Sequence, residues 1–259
     1  MNPTEISKRI KLGLQKGYNQ NLLLLSSYDD FMYEVREYLL TVNVAYQLLE
    51  WNKNHHYKVR IEYPIQTFYT NAFPSHTWKG EDVFNMDIVS RDPDHSPTEH
   101  HYQKIDIAIT QDTAEASENE KTIVGIELKG INQKPVLIVK DLLRMANAMI
   151  RTDSISDNNI KYCYSGFLRR FDKGDEMVTE SFLQEKEIKE KEYWNNQCSI
   201  LNIQFKELLF SFEFFSIVHR PLEVITQVHT EMQSDYNEVA NDTGMVSGGI
   251  IIIERNRKF

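Results

Sequence analysis

Apolar and polar positions alternate most cleanly in two short segments of this 259-residue chain. KIDIAIT (104–110) sets Ile105, Ile107 and Ile109 on one face of a strand and Asp106, Ala108 and Thr110 on the other. TIVGIELKG (122–130) repeats the pattern, with Ile126 and Leu128 on one side and Glu127 and Lys129 together on the opposite side. The acidic, polar QDTAEASENEK (111–121) lies between them, so the pair reads as an antiparallel hairpin with a long tip. Further strands are expected at YKVRIEYPI (57–65), VFNMDIVSR (83–91) and IKYCYSGFL (160–168), and near the end at FEFFSIVH and GGIIIIER. The two prolines of DPDHSPTEHH (92–101) mark a loop.

A period near 3.6 replaces the alternation elsewhere. Residues 29–52 carry a stripe of Phe31, Val35, Tyr38, Val42, Ala45 and Leu49, with Asp29 or Asp30 as the cap. PVLIVKDLLRMANAMI (135–150) repeats Leu142, Met145, Ala146 and Met149 at helical spacing. A short basic helix is expected within 1–20, and SFLQEKEIKEKEYW (181–194) is a charged helix whose Glu–Lys neighbours at three or four apart belong on a solvated surface. The expected architecture is therefore α/β: a mixed sheet flanked by helices, in one domain spanning 1–259.

Composition changes this picture little. Hydrophobic residues make up 41% and charged residues 26%, as in an ordinary soluble globular protein. The net charge of −9 argues against indiscriminate coating of nucleic acid, but not against a nuclease, whose metal ligands are themselves acidic. Cys163 and Cys198 lack CxxC spacing, which points to a reduced compartment. MNPTEISKRIKLGLQKG contains no apolar secretory core, and no apolar run is long enough to span a bilayer, so a cytoplasmic location is expected. No P-loop, GxGxxG or GxSxG motif occurs. His55–His56 and Glu99–His100–His101 could suggest zinc. However, adjacent histidines on a strand face opposite ways and no HExxH spacing is present. Phe210, Phe212, Phe214 and Phe215 are most simply core.

The hairpin is where chemistry concentrates. Asp106 and Glu127 fall on adjacent strands, both away from the isoleucines, with Lys129 sharing the face of Glu127. Two carboxylates offer hard oxygen ligands for Mg²⁺, and a nearby ammonium can orient a water or stabilise a phosphate. The bland alternative is a solvated strand face bearing an ion pair of little energetic weight.

An aspartate on one strand and E-x-K on the next, with helices before and after, resembles the PD-(D/E)xK nuclease superfamily. IDIAIT supplies Asp106 and IELKG supplies Glu127 and Lys129; Ile105 stands where many members have proline. The resemblance covers about 29–168 and leaves 169–259 as a C-terminal strand and helix extension. It implies a restriction-endonuclease-like fold, Mg²⁺ (with Mn²⁺ as substitute) held by Asp106 and Glu127, and cleavage of nucleic acid, in first place DNA. It also implies catalytic use of Lys129, and a homodimer where both strands are cut. Many members add a glutamate from the preceding helix. Measured from Phe31, Glu34 lies about 60° off the stripe and Glu37 about 120° off, which selects Glu34 as the third metal ligand. Lys140 and Arg144, four apart on the following helix, are the weaker candidates for the substrate phosphate. Asp87 is held in reserve for Asp106. The rival readings are a catalytically silent member of the fold that binds nucleic acid or protein, and a partner protein whose acidic face docks another chain.

Overall fold

The computed structural model of the protein describes residues 1–25, 37–53, 55–72, 104–112, 120–150, 159–173, 176–222 and 243–256. Within them the order is α1 (Pro3–Leu25), α2 (Glu37–Asn52), β1 (Tyr57–Pro64), α3 (Ile65–Ala72), β2 (Lys104–Asp112), β3 (Glu120–Ile131), α4 (Pro135–Ile150), β4 (Tyr162–Phe171), α5 (Glu180–Gln204), β5 (Leu208–Arg220) and β6 (Gly244–Arg255). Glu34, Asp87, the strand expected at 83–91 and the loop at 92–101 lie outside the described residues.

All six strands join one mixed sheet in the order β1-β2-β3-β4-β6-β5. β1, β2 and β3 form an antiparallel meander, so the expected hairpin is present. β3 and β4 run parallel. Parallel neighbours need a crossover, and α4 supplies it. The chain beyond residue 169 completes β4 and adds β5 and β6 antiparallel at the same sheet's far side, so the C-terminal third widens the sheet.

Each face of the sheet has its own apolar layer. Ile107, Ile109, Val124, Ile126 and Leu128 bury against Ile6, Ile10 and Leu14 of α1 and Leu40, Val44 and Leu48 of α2. On the opposite face, Ala108, Cys163 and Phe167 meet Phe68 of α3, Leu142, Met145 and Met149 of α4, and Trp194 and Leu201 of α5. β3 is thus covered on both faces, which excludes the solvated outer strand: Glu127 is only 2% exposed. Phe210 and Phe215 are buried, as expected of core aromatics.

α2 departs from expectation. Tyr38, Val42 and Leu49 of the expected inner stripe are exposed, whereas Ala45 of that stripe faces inward with Leu40, Val44 and Leu48, and Phe31 and Val35 lie outside the described residues. The reason is the partner helix, which also runs past the expected limit of residue 20. Gly13 and Gly17, four apart on α1, let it approach so closely that a Cβ on Gly13 would lie 2.4 Å from Val44 Cα. Only the face carrying Leu40 and Val44 fits that groove. Among the described residues no helix is long and apolar enough to cross a membrane.

Candidate functional site

Ile107 pairs with Ile126 across the β2–β3 ladder, which sets Asp106 beside Glu127 on the α4 side of the sheet. Asp106 Oδ2 accepts a hydrogen bond from the Leu128 backbone N–H at 2.7 Å, so the carboxylate takes an amide where the ladder stops. Its side chain is also in hydrogen-bonding contact with Glu127. On the other neighbouring strand, Glu62 sits between the pairs Ile61–Ile107 and Tyr63–Ile105, and has a left-handed φ of 52°. Such strain in a non-glycine residue concentrates at functional sites. Here it lies across from Asp106.

α4 closes the site from above. Arg144 Nη2 donates to Glu127 Oε1 at 2.5 Å and to Asp141 Oδ1 at 3.0 Å. Asp141 Oδ2 lies 3.2 Å from Lys129 Nζ, and Lys129 Nζ donates to Glu37 Oε1 at 3.3 Å. Two helices therefore converge on the hairpin. The β2–β3 pair contributes Asp106, Glu127 and Lys129; α4 contributes Asp141 and Arg144; the start of α2 contributes Glu37. Lys140 is exposed on α4, outside this set of contacts, so of the two weaker candidates only Arg144 joins the cluster.

Two members, Glu37 and Asp141, were not selected from the sequence. The inward face of α2 explains the first. At about 100° per residue, Val44 and Leu48 stand within about 20° of Glu37, so the true buried face carries Glu37 into the site. Its signal was available in the paired glycines of GLQKG on α1. Asp141 was visible only as one of three charged residues at the start of α4. Its spacing of three from Arg144 is the signal that marks it as a partner.

Electrostatically the cluster is unbalanced. Four carboxylates (Glu37, Asp106, Glu127 and Asp141) meet two cations, Lys129 and Arg144. Burial pushes the carboxyls of Glu37 and Asp106 above their ordinary range. Glu127 is pushed up furthest, first by burial and further by Asp141 and Asp106, against the opposing pull of Arg144. Burial alone would lower Lys129, but Asp141, Glu127, Glu37 and Asp106 together raise it, so it stands as an ammonium at any physiological pH. A lysine so held can donate and attract.

A hard divalent cation suits the donor chemistry, which is all carboxylate. Asp141 Oδ2 is buried and meets Lys129 Nζ at 3.2 Å without forming a hydrogen bond, and the two excess negative charges match one divalent ion. Among the described residues, however, no three His, Cys, Asp or Glu side chains stand ready as a ligand set. Arg144 bridges two of the carboxylates instead. Of the residues weighed for zinc, His55 packs against the rings of Trp51 and Tyr57, with centroids 4.7 and 6.2 Å away, and Glu99, His100 and His101 lie outside the described residues. Comparison with protein-family models, with curated proteins and with solved structures finds no match to this chain.

Proposed function

We propose that the chain is a metal-dependent nuclease of the PD-(D/E)xK kind that hydrolyses phosphodiester bonds in DNA. The observation that carries this reading is the Asp106–Glu127–Lys129 set on paired strands, Glu127 buried and the other two half-buried, with negative charge in excess. The order of helix α2, three antiparallel strands, helix α4 and parallel β4 supports it, since this is the arrangement expected of a restriction-endonuclease-like core.

Asp106 and Glu127 would hold Mg²⁺, or Mn²⁺ in its place. When bound, the ion supplies Lewis acidity, lowering the pKa of a water and offsetting charge on the phosphate. The protein's own groups do the rest. The Leu128 amide fixes one oxygen of Asp106 and so holds the carboxylate beside Glu127. Glu37 and Asp141 grip Lys129 from two helices and aim its ammonium. Lys129 would position or activate the attacking water and stabilise the crowded phosphorane by donation. Cutting both strands of a duplex would take two copies of the chain.

Arg144 on Glu127, together with the lack of a ready ligand trio among the described residues, favours one rival: a silent member of the fold that binds nucleic acid. The deciding experiment incubates supercoiled plasmid, linear duplex, single-stranded DNA and RNA with the protein in Mg²⁺, Mn²⁺ or EDTA. Asp106→Ala and Lys129→Ala serve as comparisons after their folding is verified. Cutting in metal, lost in EDTA and in both variants, establishes the nuclease. Retention of cutting in both variants rejects the site, and binding without cutting selects the silent module.

A further inference from the structure

We propose that Arg144 is a built-in counter-cation, which a divalent metal displaces from Glu127, so that this one side chain gates loading of the site. The inference rests on the reading of Asp106 and Glu127 as metal ligands.

The geometry of the arginine carries it. A guanidinium that grips one carboxylate with two parallel N–H bonds is the strong arrangement. Arg144 does not make it. A single nitrogen, Nη2, serves both Glu127 Oε1 at 2.5 Å and Asp141 Oδ1 at 3.0 Å. Its Nε is buried with no hydrogen-bond partner. The side chain is therefore held in place without using its full donor capacity.

Its second partner makes displacement cheap. Asp141 lies three residues earlier on the same helix, so Arg144 can release Glu127 and still keep a carboxylate. Glu127, 2% exposed, has no such reserve: losing the guanidinium with nothing in exchange would leave an uncompensated buried charge. Glu127 therefore passes from one cation to another, whereas Arg144 merely turns toward Asp141. With a divalent ion on Asp106 and Glu127, the four carboxylates and the two side-chain cations come to neutrality.

A purely supporting role predicts the opposite sign. Were Arg144 there to orient Glu127 for the metal, removing it would weaken binding. As a competing cation, its removal must strengthen binding.

The test is calorimetric titration of the whole chain with Mn²⁺ at pH 8, comparing wild type, Arg144→Met and Arg144→Lys. Thermal unfolding with and without Mn²⁺ is followed alongside. A hydrogen bond to a charged group is strong enough that Kd should fall about tenfold to a hundredfold in Arg144→Met, with Arg144→Lys in between. The Mn²⁺-dependent rise in Tm should grow in the same order. If Arg144→Met does not fold, Arg144→Lys decides by the same sign. Equal or weaker binding in a folded variant overturns the gate. Should that occur while wild type still cuts DNA in Mn²⁺, the nuclease reading survives alone. Tighter binding in the variants of a wild type that never cuts keeps the gate and removes the nuclease. Absence of Mn²⁺ binding in all three proteins overturns the gate outright.

Discussion

Glu120 and Glu127 stand seven residues apart on β3, and both meet arginine, yet their surroundings push them in opposite directions. Glu120 takes hydrogen bonds from Lys58 Nζ at 3.0 Å, from Arg60 and from Thr110 Oγ1 at 3.0 Å. Burial alone would raise its carboxyl, but these three donors outweigh burial and hold it below the ordinary range. Glu127 has Arg144 and, more weakly, Lys129 against burial and two neighbouring carboxylates, and is held well above that range. Lys58 and Arg60 are each 42% exposed, so water shares the work at Glu120. The lesson is one of stoichiometry. A carboxylate with cations to spare fastens strands together, whereas one short of cations is disposed to bind another.

The sharpest way to break the contrast is substitution at each position in turn. Glu127→Ala should lower plasmid cutting by about a hundredfold to a thousandfold, the scale of a lost electrostatic contributor. Glu120→Ala should leave the rate within about threefold, since fastening residues change stability before chemistry. Similar losses at both positions, in folded protein, would dissolve the distinction. Mn²⁺ offers a version independent of activity: it should raise the Tm of wild type and Glu120→Ala but not that of Glu127→Ala.

Next in size is the packing that brings Glu37 to the site. Gly13→Leu would drive a side chain into the Val44 backbone, and overpacking of this kind costs about 1–3 kcal/mol or more. Thermal unfolding should show this loss, and cutting should fall further than stability because Lys129 loses its α2 partner. An unchanged rate would mean that Glu37 is dispensable.

The finest comparison is in pH, where the Glu120 cluster and the Asp106–Glu127 cluster should give opposite signs. Glu120 is held low, so its stabilisation is present above the ordinary value of 4.5 and is lost as pH falls through its lower folded value. Glu120→Gln should therefore lower the unfolding free energy at pH 7, by about 1 kcal/mol or less for a partly exposed network, and match wild type in acid. Asp106 is held high by burial, so its ionised form carries a penalty that is complete above the raised folded value and vanishes as pH falls to 3.8. In EDTA, Asp106→Asn should raise Tm by a few degrees at pH 8 and match wild type near pH 4. A destabilised Asp106→Asn at pH 8 would show that the charge is welcome where it sits.

Much of the hairpin was legible because a strand's period of two leaves little choice. Ile126 and Leu128 face one way, so Glu127 and Lys129 must face the other, and the ladder confirms the antiparallel partner. α2 was harder because it has no charge between Glu37 and Glu50 and is apolar on two sides. Tyr38, Val42 and Leu49 form as regular a stripe as Leu40, Val44 and Leu48. Periodicity alone could not choose; the glycines of the neighbouring helix did. Arg144 was within reach as a helix residue four from Lys140, but its contact with Glu127 depends on how α4 crosses β3, which no local pattern encodes.

The turn between β3 and α4 bears on how this chain tolerates changes of length. Asn132 has a left-handed φ of 55°, its N–H donates to Leu168 O and its side chain accepts from Arg170 N. One residue on, Gln133 O accepts from Arg169 Nη1 at 2.6 Å. The connection is thus moored to β4 by three hydrogen bonds over its first two residues. An extra residue there must either tear these moorings or advance α4 by about 100°, carrying Asp141 and Arg144 off the carboxylates below. Single-residue insertions and deletions between Ile131 and Pro135 should accordingly be among the least tolerated in the chain, even though the turn itself touches none of the chemistry.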